Sequence, residues 1–237
     1  MKSLNCSNCG AALSPQAVRF DIATCEFCGT SFRIPNTLTP EPDMGDLLLG
    51  ADFADDHMPG WEVLNADKLK FLKGDHPEMF GVFKPDVTKS HYVLKSSGFL
   101  DDFDAGVNIK FTQGTLEKIR AGFYLRFTDA GGFGFLVSAQ SSYTFGSFIK
   151  DAEGKLVWQK ILAWTNHTAL RHGFNVSNRL RVICNRDSFR VYLNGVLATS
   201  FKDARFPAGT LYLTVEPGDG LDGGFAFSDL QVREVSG

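Results

Sequence analysis

Four cysteines near the start of the chain, Cys6, Cys9, Cys25 and Cys28, fall in two Cys-x-x-Cys-Gly pairs separated by residues 10–24. Two cysteines spaced this way aim both sulfurs at one ion, and two such pairs complete the tetrahedron that Zn2+ prefers. With every position taken by a thiolate at ~2.3 Å, the metal has no open place to activate water, so its expected role is structural. Gly10 and Gly29 directly follow the second cysteine of each pair, where the chain turns back with positive φ. A disulfide or a redox Cys-x-x-Cys is the competing chemistry. The redox site needs a strand-to-helix turn, and this segment has no helical period.

Short strands must position these ligands. Val18, Phe20 and Ile22 alternate with Arg19 and Asp21, and Phe32 and Ile34 alternate with Ser31 and Arg33. With the cysteine spacing, residues 1–36 resemble a zinc ribbon, a fold too small to close without its metal. Pro35, Pro40 and Pro42 among polar residues then read as a linker over 37–45.

The rest, residues 46–237, is expected to be all-β. Ala121, Phe123, Leu125 and Phe127 face one way and Arg120, Tyr124 and Arg126 the other. Phe133 to Val137, Tyr143 to Ile149 and Leu156 to Trp164 follow after short turns, which makes them antiparallel neighbours. Leu180 to Cys184, Phe189 to Leu193, Val196 to Phe201, Leu211 to Val215 and Phe225 to Val235 complete the set, with Asn194-Gly195 as a tight turn. So many strands, with 22 phenylalanines to fill an apolar layer, call for a two-sheet antiparallel jelly-roll sandwich. Cys184, alone in a strand, is expected in the core.

Ala51-Asp52-Phe53-Ala54-Asp55 followed by Pro59-Gly60-Trp61, then Phe189 to Gly195, then Phe225 to Val232 resemble, in that order, the concanavalin A-like lectin/glucanase superfamily in its laminin G-like branch. The resemblance spans residues 46–235. It implies a sandwich whose relatives bind or cleave glycans. Glycoside cleavage needs two carboxylates flanking the scissile bond, and the glucanase branch carries them on one strand as Glu-x-Asp-x-Glu or a one-residue expansion. This chain has no such strand. Asp101-Asp102-Phe103-Asp104 comes nearest, lacks glutamate and reads as a solvated turn; there is no Gly-x-Ser-x-Gly either. The chain is therefore expected not to be an enzyme.

A binding surface is expected on the non-core face of the central strands, where Tyr124, Arg126, Gln140 and Arg190 would share a wall with Tyr192. Trp158 and Trp164, six apart and so on one face of their strand, are expected as a contact patch if that face is outward, with His167 in the loop beyond. Glu216, Asp219 and Asp222 share a glycine-rich loop that would suit Ca2+, although an acidic turn explains them as well and no calcium is assigned.

Net charge is −3, and the ribbon sets three cations against two carboxylates, which argues against nucleic acid as the main ligand. No apolar run spans a bilayer and no signal peptide opens the chain, so a cytoplasmic location without membrane contact is expected. A reducing compartment also suits thiolates held on metal. The cytoplasmic setting ranks a protein-binding adaptor first, a carbohydrate-binding module second and a glycoside hydrolase last.

Overall fold

In the strands, alternation of apolar and polar residues becomes antiparallel pairing. The computed structural model describes residues 9, 11, 18–19, 22–29, 31–33, 44–85 and 90–235. Cys6 and the linker residues Pro35, Pro40 and Pro42 lie outside the described residues.

Near the cysteines, β1 (Val18–Arg19), β2 (Ile22–Thr24) and β3 (Ser31–Arg33) form a small sheet in that order. Then follow β4 (Met44–Ala51), β5 (Trp61–Val63), β6 (Leu69–Leu72), β7 (Glu78–Phe83), β8 (His91–Ser96), β9 (Phe103–Gln113), β10 (Arg120–Thr128), β11 (Gly131–Ser138), β12 (Ser142–Lys150), β13 (Leu156–Asn166), β14 (Ser177–Asn185), β15 (Ser188–Leu193), β16 (Val196–Lys202), β17 (Thr210–Glu216) and β18 (Gly223–Val235). The front sheet runs β13-β12-β11-β10-β17-β8-β5 and the back sheet β16-β15-β14-β9-β18-β7-β6, with β4 also paired to β18. The chain is thus all-β in two stacked antiparallel sheets, a jelly roll. A 3-10 turn at Ala66–Lys68 is the one helical element among the described residues, so none of them forms a helix able to cross a membrane. The first two residues of β4 come from the stretch expected as linker.

The inward positions of both sheets make the core. Ala121, Phe123 and Leu125 of β10 and Leu180, Val182 and Cys184 of β14 are fully buried. Aromatic rings stitch the layers together: Phe133 of β11 meets Phe189 of β15 at 4.7 Å, and Phe145 of β12 meets Phe201 of β16 at 4.5 Å. Each buried Phe contributes roughly 1.5–3 kcal/mol of transfer free energy. Trp61 joins this cluster at 9% exposure. Burial pushes the Cys184 thiol up to about 12, because the interior disfavours the thiolate. Asn194 and Gly195, both at positive φ, close the β15–β16 hairpin.

Two expectations change. Asp101 to Asp104 is no plain solvated turn: Asp104 lies in β9, 6% exposed, with Arg181 Nε donating to it at 2.8 Å. Arg126 does not continue the outward row of Tyr124, because the pairing slips between Leu125 and Thr128 and Arg126 takes φ 49°. Its guanidinium is wholly buried at one end of the sandwich. There it donates to the carbonyls of Asp101 at 2.8 Å and Arg186 at 2.7 Å and to Asp102 at 3.2 Å. The bulge turns a residue expected on the binding wall into a clamp between loops.

Candidate functional site

On its outward face the front sheet is paved with glycine and aromatic residues. Gly132 and Gly134 of β11 leave two consecutive outward positions empty. A Cβ on Gly134 would lie 2.7 Å from the Trp158 ring, and one on Gly132 would lie 2.7 Å from Phe127. Rings from the flanking strands therefore close over β11. Tyr124 of β10 reaches Phe148 of β12 with centroids 4.9 Å apart, and Phe148 meets Trp158 of β13 at 4.9 Å. The chain of rings continues the other way through Tyr92, 5.7 Å from Tyr124, to Tyr212, 4.8 Å from Tyr92. Trp158 lies across Gly134 and Gly146, half-buried, on the side of an open cavity of about 610 Å³.

Trp164 lines the same cavity. A separation of six residues puts two side chains on one face only if the strand is regular, and β13 is not. Its pairing with β12 slips between Phe145 and Gly146 and again between Tyr143 and Phe145, so two extra residues cancel in parity. Both tryptophans face out.

Polar groups crowd the β17 side of the cleft. Tyr124 and Ser90 direct their hydroxyls at Oε1 of Glu216, at 3.1 and 3.0 Å, and lie 2.5 Å from each other. Arg120 Nη1 approaches Oε2 of the same carboxylate at 3.4 Å while its guanidinium lies 4.9 Å from the Trp164 ring. Burial, reinforced by the Glu216 charge, pushes the Tyr124 phenol well above its ordinary value near 10. Lys118 forms an ion pair with Asp219 and holds that carboxyl below the usual range. Lys160, exposed and two residues from Trp158, completes the rim.

The residues expected on one wall are divided by the fold. Tyr124, Trp158 and Trp164 meet in the cleft. Arg190 and Tyr192 sit on β15, on the outward face of the other sheet, with Tyr192 buried under the Arg181 guanidinium at 5.5 Å. They cannot share a wall with Tyr124. Arg126 is clamped as described, and Gln140 occupies the turn between β11 and β12. His167 is 6% exposed, accepts from the Ala169 amide at 3.1 Å and stands edge-on to Tyr143, so it belongs to packing. Ser90, Arg120, Phe148, Lys160 and Glu216 were not expected in a common site. The glycines at alternate positions of β11 were the signal available, since a row without side chains opposite aromatics makes room for rings.

Among the described residues, only Cys9, Cys25 and Cys28 bring His, Cys, Asp or Glu ligand atoms together in a group of three or more, all within 4.8 Å of one another. Cys9 and Cys25 have their sulfurs 3.6 Å apart. Glu216, Asp219 and Asp222 form no such group.

No family model and no curated protein matches this chain. Solved structures do. The fold is shared with proteins that handle glycans. A carbohydrate-binding module, CBM66 from Bacillus subtilis, is 18% identical with a TM-score of 0.53, covering 74% of this chain and 96% of that one. The Bacteroides ovatus mixed linkage glucan GH16 in complex with a G4G4G3G product is 10% identical at TM-score 0.59, covering 78% and 100%. The Crh5 transglycosylase is 13% identical at TM-score 0.54, covering 86% and 91%. These neighbours correct the expectation that the chain is not an enzyme: two of the three are a transglycosylase and a GH16 protein holding its product, so the fold gives no ground for denying catalysis. The protein adaptor that the sequence ranked first has no counterpart among these three.

Proposed function

We propose that the sandwich binds a carbohydrate chain across the outward face of its front sheet. The observation that carries this reading is Trp158, laid across a glycine-paved floor beside an open cleft. A sugar ring presents an apolar face to such an indole, and hydroxyls beyond it meet the fixed donors and acceptors of Arg120, Glu216 and Lys160. Because Glu216 is already oriented by Tyr124, Ser90 and Arg120, a ligand would meet a rim set in advance.

The test is affinity electrophoresis of the whole chain against a panel of soluble neutral and charged polysaccharides. Retardation by at least one is expected. Trp158→Ala should weaken that binding by about 2 kcal/mol, roughly thirtyfold. Equal binding by the variant would overturn the reading. Reducing ends released in the same mixtures report bond cleavage separately.

Cys6, Cys9, Cys25 and Cys28 are proposed to hold one structural Zn2+. Tetrahedral thiolates at ~2.3 Å from zinc stand roughly 3.8 Å apart, close to the 3.6 Å between Cys9 and Cys25. Gly29 follows at φ 70°, its amide donating to the Cys25 carbonyl at 2.9 Å. Metal analysis should find about one zinc per chain, lost in Cys25→Ser; a metal-free folded protein would refute it.

A further inference from the structure

The cleft carries three cations, Lys118, Arg120 and Lys160, against two carboxylates, Glu216 and Asp219. Each carboxylate already faces a cation. Oε1 of Glu216 receives the hydroxyls of Tyr124 and Ser90, Oε2 faces Arg120, and Asp219 is taken by Lys118. Lys118 and Arg120 are the cations of those pairs, and the third cation is left over. Lys160 has no ion pair among the described residues, and Arg120 Nε is buried without a hydrogen-bond partner among them. This local excess of positive charge belongs to a chain whose net charge is −3, so it is a property of the cleft rather than of the whole surface.

The two tryptophans divide the work. One face of Trp164 is covered by the Arg120 guanidinium, at 4.9 Å, which makes it a positioning residue for that cation. No cation stands over Trp158 among the described residues, which leaves its open face to a ligand. Lys160 registers opposite Gly146, the glycine under Trp158, so an ammonium stands beside the ring platform.

We infer that the cleft selects a glycan bearing anionic substituents, with Lys160 and Arg120 reading the charge beside a sugar stacked on Trp158. The inference rests on the carbohydrate reading above and narrows its ligand class. Carboxylate of a uronic acid and sulfate ester share the chemistry that ammonium and guanidinium recognise.

Isothermal titration of the whole chain with one neutral β-glucan, its C6-carboxylated derivative and its sulfated derivative separates the cases. The anionic forms should bind about tenfold tighter than the neutral parent at low salt, with the advantage shrinking as salt rises. Lys160→Gln, which keeps a hydrogen-bond donor at an exposed site, should remove most of that advantage and lower affinity for the neutral glucan far less than for either anionic form. Preference for one derivative over the other identifies the substituent. Equal binding of neutral and anionic forms, or a Lys160→Gln loss that is the same for all three, would overturn the inference while leaving the carbohydrate reading in place. Binding neither to these three nor to any other polysaccharide of the panel would remove both. Trp164→Ala should lower the anionic affinity selectively, whereas Trp158→Ala should lower all three; the same pattern for both variants would refute the division of roles.

Discussion

The outward faces of the two sheets are built from similar residue types to opposite ends. On the back sheet three charge pairs are closed: Arg181 forks onto Asp104 over Tyr192, Arg179 meets Asp229 at 2.9 Å, and Lys110 meets Glu78 at 2.6 Å. On the front sheet, glycine replaces side chain at the centre, half-buried rings lie over it, and Lys160 stands beside them without an ion pair among the described residues. Charges that satisfy each other stabilise or specify a surface, and a charge left over beside partly open aromatic rings makes a surface that meets something else.

That contrast can be broken most forcefully at Arg181. Its replacement by Ala strands the nearly buried Asp104 carboxylate, which should cost about 3–5 kcal/mol of folding stability in urea titration. Glycan affinity of the remaining folded protein should not change. If affinity fell and stability held, the two faces would have been assigned the wrong way round. A smaller effect is expected at Gly134→Ala, whose new methyl must push against the Trp158 ring 2.7 Å away. Displacing the platform should weaken glycan binding about tenfold with a stability loss of roughly 1–3 kcal/mol from overpacking. Unchanged affinity would mean that the tilt of Trp158 is irrelevant.

The mildest difference is spectroscopic. Tyr124 has its pKa raised by burial, so the stability linked to it is complete below about 10, the pKa of an unfolded tyrosine, and is lost as pH rises toward the folded value. Tyrosinate absorbance should therefore appear for Tyr124 above the free-tyrosine range, and Tyr124→Phe should remove that late component. Ionisation of every tyrosine near 10 would contradict a sealed Tyr124.

Much of this plan was legible in the chain. Period-two alternation through Ala121, Phe123 and Leu125 placed the core face, and Asn194-Gly195 marked its hairpin, because both signals depend only on neighbouring residues. The failures share a cause. Arg126 and the pairing of β13 depend on bulges, which change the face a residue occupies without changing the local pattern. Arg190 and Tyr192 were grouped with Tyr124 by residue type, whereas sheet membership is decided by pairings distant in sequence. His167 looked like a loop ligand and became a packing residue because the turn after β13 folds back beside Tyr143.

Cys184 leaves a convenient legacy. A thiol with no accessible surface and a reluctance to ionise short of pH 12 is nearly invisible to alkylating and disulfide-forming reagents while the sandwich stays closed. Reagent consumed by the native protein therefore counts the amino-terminal cysteines alone, and a further equivalent appearing on warming marks the moment the β layers part.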